Sequence, residues 1–292
     1  MLVLDFQKPA IIVANHQSHL DIVCLMIMHP KMIFLTNHWA YTNHFYGKLI
    51  QRAEFLPASD GLEAHLDDLR SLYQRGYSIC IFPEGTRSTD FRVHRFHKGA
   101  FYLAELLHAD IVPVVLHGVG HVLPKVDFLL REGTMYAEIL PRLQAGCQDM
   151  GDGYRAVTKN MQHLFQDKYQ QLCQHLETSH YWAQQVKYQY MYKGTEVERR
   201  CHRNLKKNDD YAAIIDAPAA RGLQEVHFED VGQGELPYLY ALVHPETQVY
   251  ASVCGDDDYR LLMNMANLPV NLHFTKGLHV SSKEEERKEG QA

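Results

Sequence analysis

Between Pro9 and Leu143 short apolar runs alternate with amphipathic stretches, the pattern of an α/β domain. Residues 10–14, 32–36, 78–82, 111–116 and 135–140 read as strands. Helices are predicted between them. Residues 21–28 are apolar enough for a buried helix, 62–75 carries leucines at 62, 66, 69 and 72, and 99–107 carries Phe101, Leu103, Leu106 and Leu107 at the spacing that aligns side chains along one helix face.

Gly151-Asp152-Gly153 then breaks the pattern. Val157, Met161, Leu164, Phe165, Leu172 and Leu176 recur at helical spacing and predict a long closing helix. A tyrosine-rich stretch, 181–192, leads into the charged run 196–210, which reads as a linker or solvated helix. A second, smaller α/β pattern begins near Gln224, and 281–292 is polar and dominated by Lys and Glu, the composition of a disordered tail. The expected layout is an α/β domain over 1–150, a closing helix and linker over 151–210, a small α/β segment over 211–280 and a tail over 281–292.

The 292 residues suffice for one large domain or two smaller ones. Hydrophobic residues at 46% and charged residues at 22% are those of a globular chain. A formal charge of −6 argues against general nucleic-acid binding, which needs clustered Lys and Arg, so any basic site must be local. Six cysteines are scattered without CxxC or CxH spacing, which points to a reduced, cytoplasmic setting. No stretch approaches the apolar length of a spanning helix, and the start, Met1 to Lys8, lacks a signal-peptide pattern. Membrane contact is therefore expected from the surface.

Two blocks carry chemistry. Asn15-His16-Gln17-Ser18-His19-Leu20-Asp21 puts a histidine at a strand end and a carboxylate in the first turn of the following helix. A carboxylate that accepts a hydrogen bond from one imidazole nitrogen leaves the other as a base, able to activate a hydroxyl for attack on an acyl group. His16 and His19 also form an HxxH pair, but no third ligand pattern supports a metal. Some sixty residues on, Phe82-Pro83-Glu84-Gly85-Thr86-Arg87-Ser88 follows a strand at the carboxyl edge of the sheet, where open α/β sheets place ligands. Gly85 allows close backbone approach, and Thr86 and Arg87 offer donors that match phosphate or carboxylate oxygens.

Taken with Arg95-Phe96-His97-Lys98-Gly99-Ala100-Phe101 and Ile111-Val112-Pro113-Val114, these blocks resemble the glycerolipid acyltransferase superfamily, whose best-known members are 1-acylglycerol-3-phosphate (lysophosphatidate) acyltransferases. The family's NHxxxxD corresponds to Asn15, His16 and Asp21, its FPEGTRS to Phe82–Ser88, its FKKGAF to the third block and its IVPV strand to the fourth. The resemblance spans about 9–143. It implies an acyltransferase-like mixed sheet flanked by helices, followed here by a helical linker and a small partial Rossmann-like α/β segment. His16 is the implied general base and Asp21 its orienter; Glu84, Gly85, Thr86, Arg87, Arg52 and Lys98 are the implied substrate-binding residues. The implied reaction is O-acyl transfer without an acyl-enzyme, in which Cys80 and Ser18 are not nucleophiles.

Two departures stand out. Asp60 occupies a position where a second phosphate-binding arginine is expected beyond Arg52, which admits an acceptor of less phosphate character, such as an acylated amino acid or another lyso-lipid. The first strand also begins almost at Met1, which is expected of a shortened chain or a module of a larger protein. Membrane contact then falls to an aromatic patch around Trp39, Tyr41, Phe45 and Tyr46, for which core packing is the competing reading.

In the second α/β pattern, residues 226–234 read as a strand followed by D-x-G-x-G, and Val249 to Val253 as a second strand ending near Asp256-Asp257-Asp258. This order resembles the opening of class I S-adenosylmethionine methyltransferases, truncated or degenerate. The resemblance assigns cofactor contacts to Asp230, Gly232, Gly234 and Asp256, yet Leu236 stands at the third glycine position and the remaining strands have no room, so a structural appendage or dimer contact is expected rather than bound S-adenosylmethionine. The resulting expectation is an enzyme of membrane-lipid biosynthesis, peripheral to the inner face of the membrane. It moves a fatty acyl group from acyl-carrier protein or acyl-coenzyme A to the hydroxyl of a lysophospholipid or similar lyso-lipid, with no cofactor required. The competing functions are a methyltransferase and a non-catalytic lipid-binding protein.

Overall fold

Four consecutive buried residues, Ile11–Ala14, form the strand β1 around which the first sheet is built. The computed structural model describes residues 8–36, 56–57, 63–125, 129–207, 209–217, 220–266 and 268–277, and the chain divides into two units, Met1–Gln174 and His175–Ala292. The features expected at Arg52, Asp60, the 39–46 aromatic patch and the 281–292 tail lie outside the described residues.

In the first unit β1 pairs in parallel with β4 (Ser78–Ile81) on one side and β5 (Ile111–His117) on the other. Beyond β4 come β2 (Met32–Thr36) and β3 (Leu56–Pro57), both parallel, and β6 (Tyr136–Ile139) closes the other edge antiparallel to β5. The order is β3-β2-β4-β1-β5-β6. All five strands expected from the sequence are present; the two-residue β3 is an addition. The strands read as unbroken apolar runs because both faces of a parallel sheet are covered, and Ile12, Phe34, Cys80, Val112 and Val114 meet in its core.

The helices α1 (Leu20–Met28), α2 (Leu66–Gln74) and α3 (Gly99–Leu107), with the short α4 (Val119–Val122), connect these strands. The closing helix α5 runs over Gly153–Leu176 and buries Met161, Phe165, Tyr169 and Leu172, one stripe at i, i+4, i+8 and i+11. The expectation that 21–28 is a buried helix needs correction: α1 buries Asp21 and Leu25, whereas Val23, Met26 and Ile27 are exposed. Only one face packs on the sheet, so uniform apolarity here does not signify complete burial.

The second unit contains α6 (Ser179–Tyr190), α7 (Thr195–Lys207) and α8 (Asp209–Ile215). A three-stranded parallel sheet follows, β7-β8-β9 (Glu225–Phe228, Gln248–Val253, Leu272–Lys276). Helices α9 (Glu235–Val243) and α10 (Asp256–Met263) are its crossovers. The partial Rossmann-like segment is thus a βαβαβ unit. The linker expected through 210 is instead part of this unit: Val186, Tyr190, Cys201 and Ile215 are buried in one core with Leu239, Val249 and Leu262. Ser179 donates from both its amide and hydroxyl to Asp216, joining the first turn of α6 to the end of α8. Charge on α7 concealed its apolar stripe, Val197, Cys201 and Leu205.

Gly234 has φ +75°, and a Cβ there would stand 2.8 Å from Leu262 Cδ2 and 3.0 Å from Phe274. Replacing it by alanine combines left-handed strain with overlap in the core. Gly234→Ala is expected to lower the unfolding free energy of this unit by about 1–3 kcal/mol, read by urea denaturation; an unchanged midpoint contradicts the packing.

Candidate active site

Parallel pairing brings the carboxyl ends of β1 and β4 to one edge of the sheet, and with them the two chemistry-bearing blocks. Asn15 extends the β1–β5 ladder with its side chain: Nδ2 donates to Leu116 O at 2.9 Å, and Oδ1 accepts Leu116 N at 2.7 Å. This anchors the residue immediately before His16.

The buried carboxylate of Asp21 organises the next turn. Its Oδ2 receives His16 Nδ1 at 2.8 Å, Gln17 N at 2.7 Å and Ser18 N at 2.8 Å. Because a carboxylate accepts, Nδ1 carries the proton and Nε2 presents its lone pair. The imidazole stacks on Phe82 with ring centroids 4.1 Å apart and planes 14° from parallel, so its orientation is held by a hydrogen bond and a flat contact together. His16 is partly exposed, as a base that meets substrate must be. The expected pairing of His16 with Asp21 is present in this geometry.

Glu84 has a different role from the one expected. It is buried, and its Oε1 accepts His16 N at 3.0 Å while Oε2 accepts His94 N at 3.2 Å. A carboxylate repels an anionic head group, and this one is already occupied by backbone amides. It braces the histidine loop against the segment after the turn. Burial pushes Glu84 up to about 7, outweighing the two amide donors that favour its charged form, with the charge of Asp21 adding to the rise. A further strut runs from Ser88 N to His16 O at 2.8 Å.

Gly85 and Thr86 are exposed and Arg87 is partly buried. Gly85 has φ +70°, with His97 3.4 Å from the place of a Cβ. The sequence offered no sign of Lys125 as a member of this cluster. Its Nζ donates to Thr86 Oγ1 at 3.2 Å and to Arg87 O at 2.7 Å, so a second cation stands at the turn; a lone lysine after an apolar run has no distinguishing pattern. Burial, with Arg87 and His16 adding positive potential, holds His19 below its ordinary value. Lys98, expected among these residues, instead places Nζ over the Tyr154 ring, 5.9 Å from its centroid, and is better read as packing on the flank of α3.

Neither expected non-nucleophile is poised for attack. Ser18 Oγ donates to Leu123 O at 2.7 Å and accepts Leu20 N at 3.2 Å. Cys80 is fully buried, and burial drives its thiol far up.

Against this geometry, residues 4–117 match the family model Acyltransferase. Among curated relatives, a chloroplastic 1-acyl-sn-glycerol-3-phosphate acyltransferase of Arabidopsis thaliana is 33% identical over 40% of this chain and 34% of its own length. One from Chlamydomonas reinhardtii is 34% identical over 40% and 36%, and one from Saccharomyces cerevisiae is 30% identical over 46% and 47%. The chain thus spans about a third to a half of the length of these relatives. A crystal structure of the 1-acyl-sn-glycerophosphate acyltransferase PlsC from Thermotoga maritima covers 56% of this chain and 66% of its own, at 23% identity and a TM-score of 0.48, a likeness too loose to place residues.

In the second unit the expected cofactor residues gather at the carboxyl end of the small sheet. Asp230, with φ +45°, donates its amide to Ser252 Oγ at 3.2 Å, and Gly232 has φ +56°. Asp256 is paired with Lys276 Nζ at 2.7 Å. Asp258 Oδ2 lies 3.9 Å from the place of a Cβ on Gly232 and 3.6 Å from that on Gly255, and Asp258 is itself paired with Arg200 of α7. The space beside these glycines holds the chain's own ion pair. These residues do not fit an open cradle for S-adenosylmethionine, and no chemistry is assigned to the loop.

Because Glu84 holds its proton more tightly when buried, its contribution to stability is fullest below about pH 4.5 and falls as pH rises through about 7. Glu84→Gln removes this titration and turns one acceptor into a donor facing an amide. The variant is expected to be less stable by about 1–3 kcal/mol, with a larger deficit near pH 5 than near pH 8, measured by urea unfolding at both. A deficit that grows with pH contradicts the assignment.

Proposed function

We propose that the acyltransferase-family domain moves a fatty acyl group from a coenzyme A or carrier-protein thioester to the hydroxyl of a lysophosphatidate-like acceptor. The observation that carries this reading is the Asp21–His16 pair, whose loop is tied at His16 O to Ser88, the residue after the Thr86–Arg87 turn that Lys125 reaches.

The acceptor hydroxyl attacks the thioester carbonyl as its proton passes to His16 Nε2, and Asp21 balances the imidazolium that forms. The carbon–sulfur bond then breaks, and the departing thiolate takes the proton from Nε2. This is direct transfer between two bound substrates, which the engagement of Ser18 Oγ and the burial of Cys80 support. Arg87 and Lys125 supply positive charge for the acceptor's phosphate, where charge-assisted hydrogen bonds are strongest. The 1-acyl-sn-glycerol-3-phosphate acyltransferase names of the relatives favour this acceptor over an acylated amino acid. No described helix is long and apolar enough to cross a membrane, so this reading has the domain meet its lipid at a membrane surface.

The test is thiol release from long-chain acyl-coenzyme A and from acyl-carrier protein with a panel of lyso-lipid acceptors. Release that depends on lysophosphatidate and falls at least about a hundredfold in a folded His16→Ala variant is expected; turnover within a few fold of wild type in that variant contradicts the mechanism. Lys125→Ala is expected to raise the acceptor KM about tenfold with a smaller change in kcat. An unchanged acceptor dependence removes Lys125 from the site.

A further inference from the structure

Helix α1 carries the catalytic carboxylate in its first turn and an exposed apolar face beyond it. Asp21 and Leu25 are buried, whereas Val23 and Met26 are about half exposed and Ile27 is 80% exposed. A helix composed as Leu-Asp-Ile-Val-Cys-Leu-Met-Ile-Met has almost no polar residue to offer water, so this face lacks the charged surface of an ordinary solvated helix.

The segment that follows α4 lies along the same helix. Ser18 Oγ donates to Leu123 O at 2.7 Å, and Cys24 Sγ stands 3.8 Å from Met135 Sδ. This segment adds exposed Leu129, Leu130 and Met135, with Leu130 at 71%. Six large apolar side chains are therefore exposed on two adjoining elements that begin at the candidate active site. Along the chain these residues are flanked by charges of both signs, Lys31, Lys125 and Arg131 with Asp127 and Glu132. Clustered exposed apolar surface marks an interaction site, and an apolar helix face that continues from the candidate site, edged by charged residues, matches the interface of a bilayer, with acyl chains below and head groups above.

We propose that the exposed face of α1, together with the 129–135 segment, seats the first unit on a lipid surface. Continuity decides the occupant. The helix that inserts Ile27 also holds Asp21, and His16 lies one turn before it, so a lipid in the same surface has its head group near the base. The inference builds on the acyl-transfer reading for this benefit, but the contact itself requires no catalysis.

Flotation of the full chain with phosphatidylcholine vesicles containing about 30% phosphatidylglycerol, with no acyl donor, tests the seat. Wild type and His16→Ala are expected to bind alike, so failure of the acyl-transfer reading leaves this result intact. Ile27→Asp with Leu130→Asp is expected to weaken binding at least about tenfold, since two large apolar side chains are withdrawn from the bilayer. Circular dichroism should be unchanged because both side chains are exposed. The double variant should retain turnover on a detergent-dispersed acceptor while losing it on the vesicle-borne one. Absence of wild-type binding, or equal binding by the double variant, overturns the proposal. So does a wild-type dimer that becomes monomeric in the double variant without change in vesicle binding, which assigns the face to a second copy.

Discussion

The candidate site depends on one oxygen. Asp21 Oδ2 accepts the His16 imidazole and the amides of Gln17 and Ser18, so the atom that selects the imidazole tautomer also shapes the turn that carries it. The carboxylate stands five positions after the histidine because the chain must leave a strand, reverse through that turn and begin a helix before the side chain can reach back. Burial of Asp21 keeps water from competing for the same hydrogen bonds.

The surrounding architecture fixes this turn in space. Asn15 fastens it to β5, Glu84 accepts its His16 amide, and Ser88 donates to its His16 carbonyl. The struts come from two segments, β5 and the block 82–88 that follows β4, and they converge because β1 lies between β4 and β5. The arrangement holds the base on the framework of the sheet while leaving the cations at Arg87 and Lys125 on the adjacent turn.

Apolar runs made the five main strands legible in the sequence, as the closing helix was from its i, i+4 stripe. The His16–Asp21 pairing was legible for a related reason: its geometry is local and follows from a strand end and a helix start. Glu84 was misread because its partners are backbone amides, which leave no trace in residue type. Lys125 was missed because it reaches Thr86 across 39 positions. The run 196–210 reads as a linker or solvated helix because the charges of α7 outnumber its three core residues, and α1 reads as interior because composition does not distinguish an apolar face that meets the sheet from one left exposed.

The central claim is that Asp21 makes His16 a base by holding the Nδ1 proton on a charged oxygen, which balances the imidazolium formed when Nε2 takes a proton. The most direct measurement is kcat for acyl transfer by Asp21→Asn, with the fold checked by circular dichroism. An asparagine oxygen in the place of Oδ2 still accepts the His16, Gln17 and Ser18 donors, but it carries no charge to balance the imidazolium that forms. The account predicts a fall in kcat of about a hundredfold or more, with acceptor KM little changed. A folded variant that turns over within about threefold of wild type would contradict it.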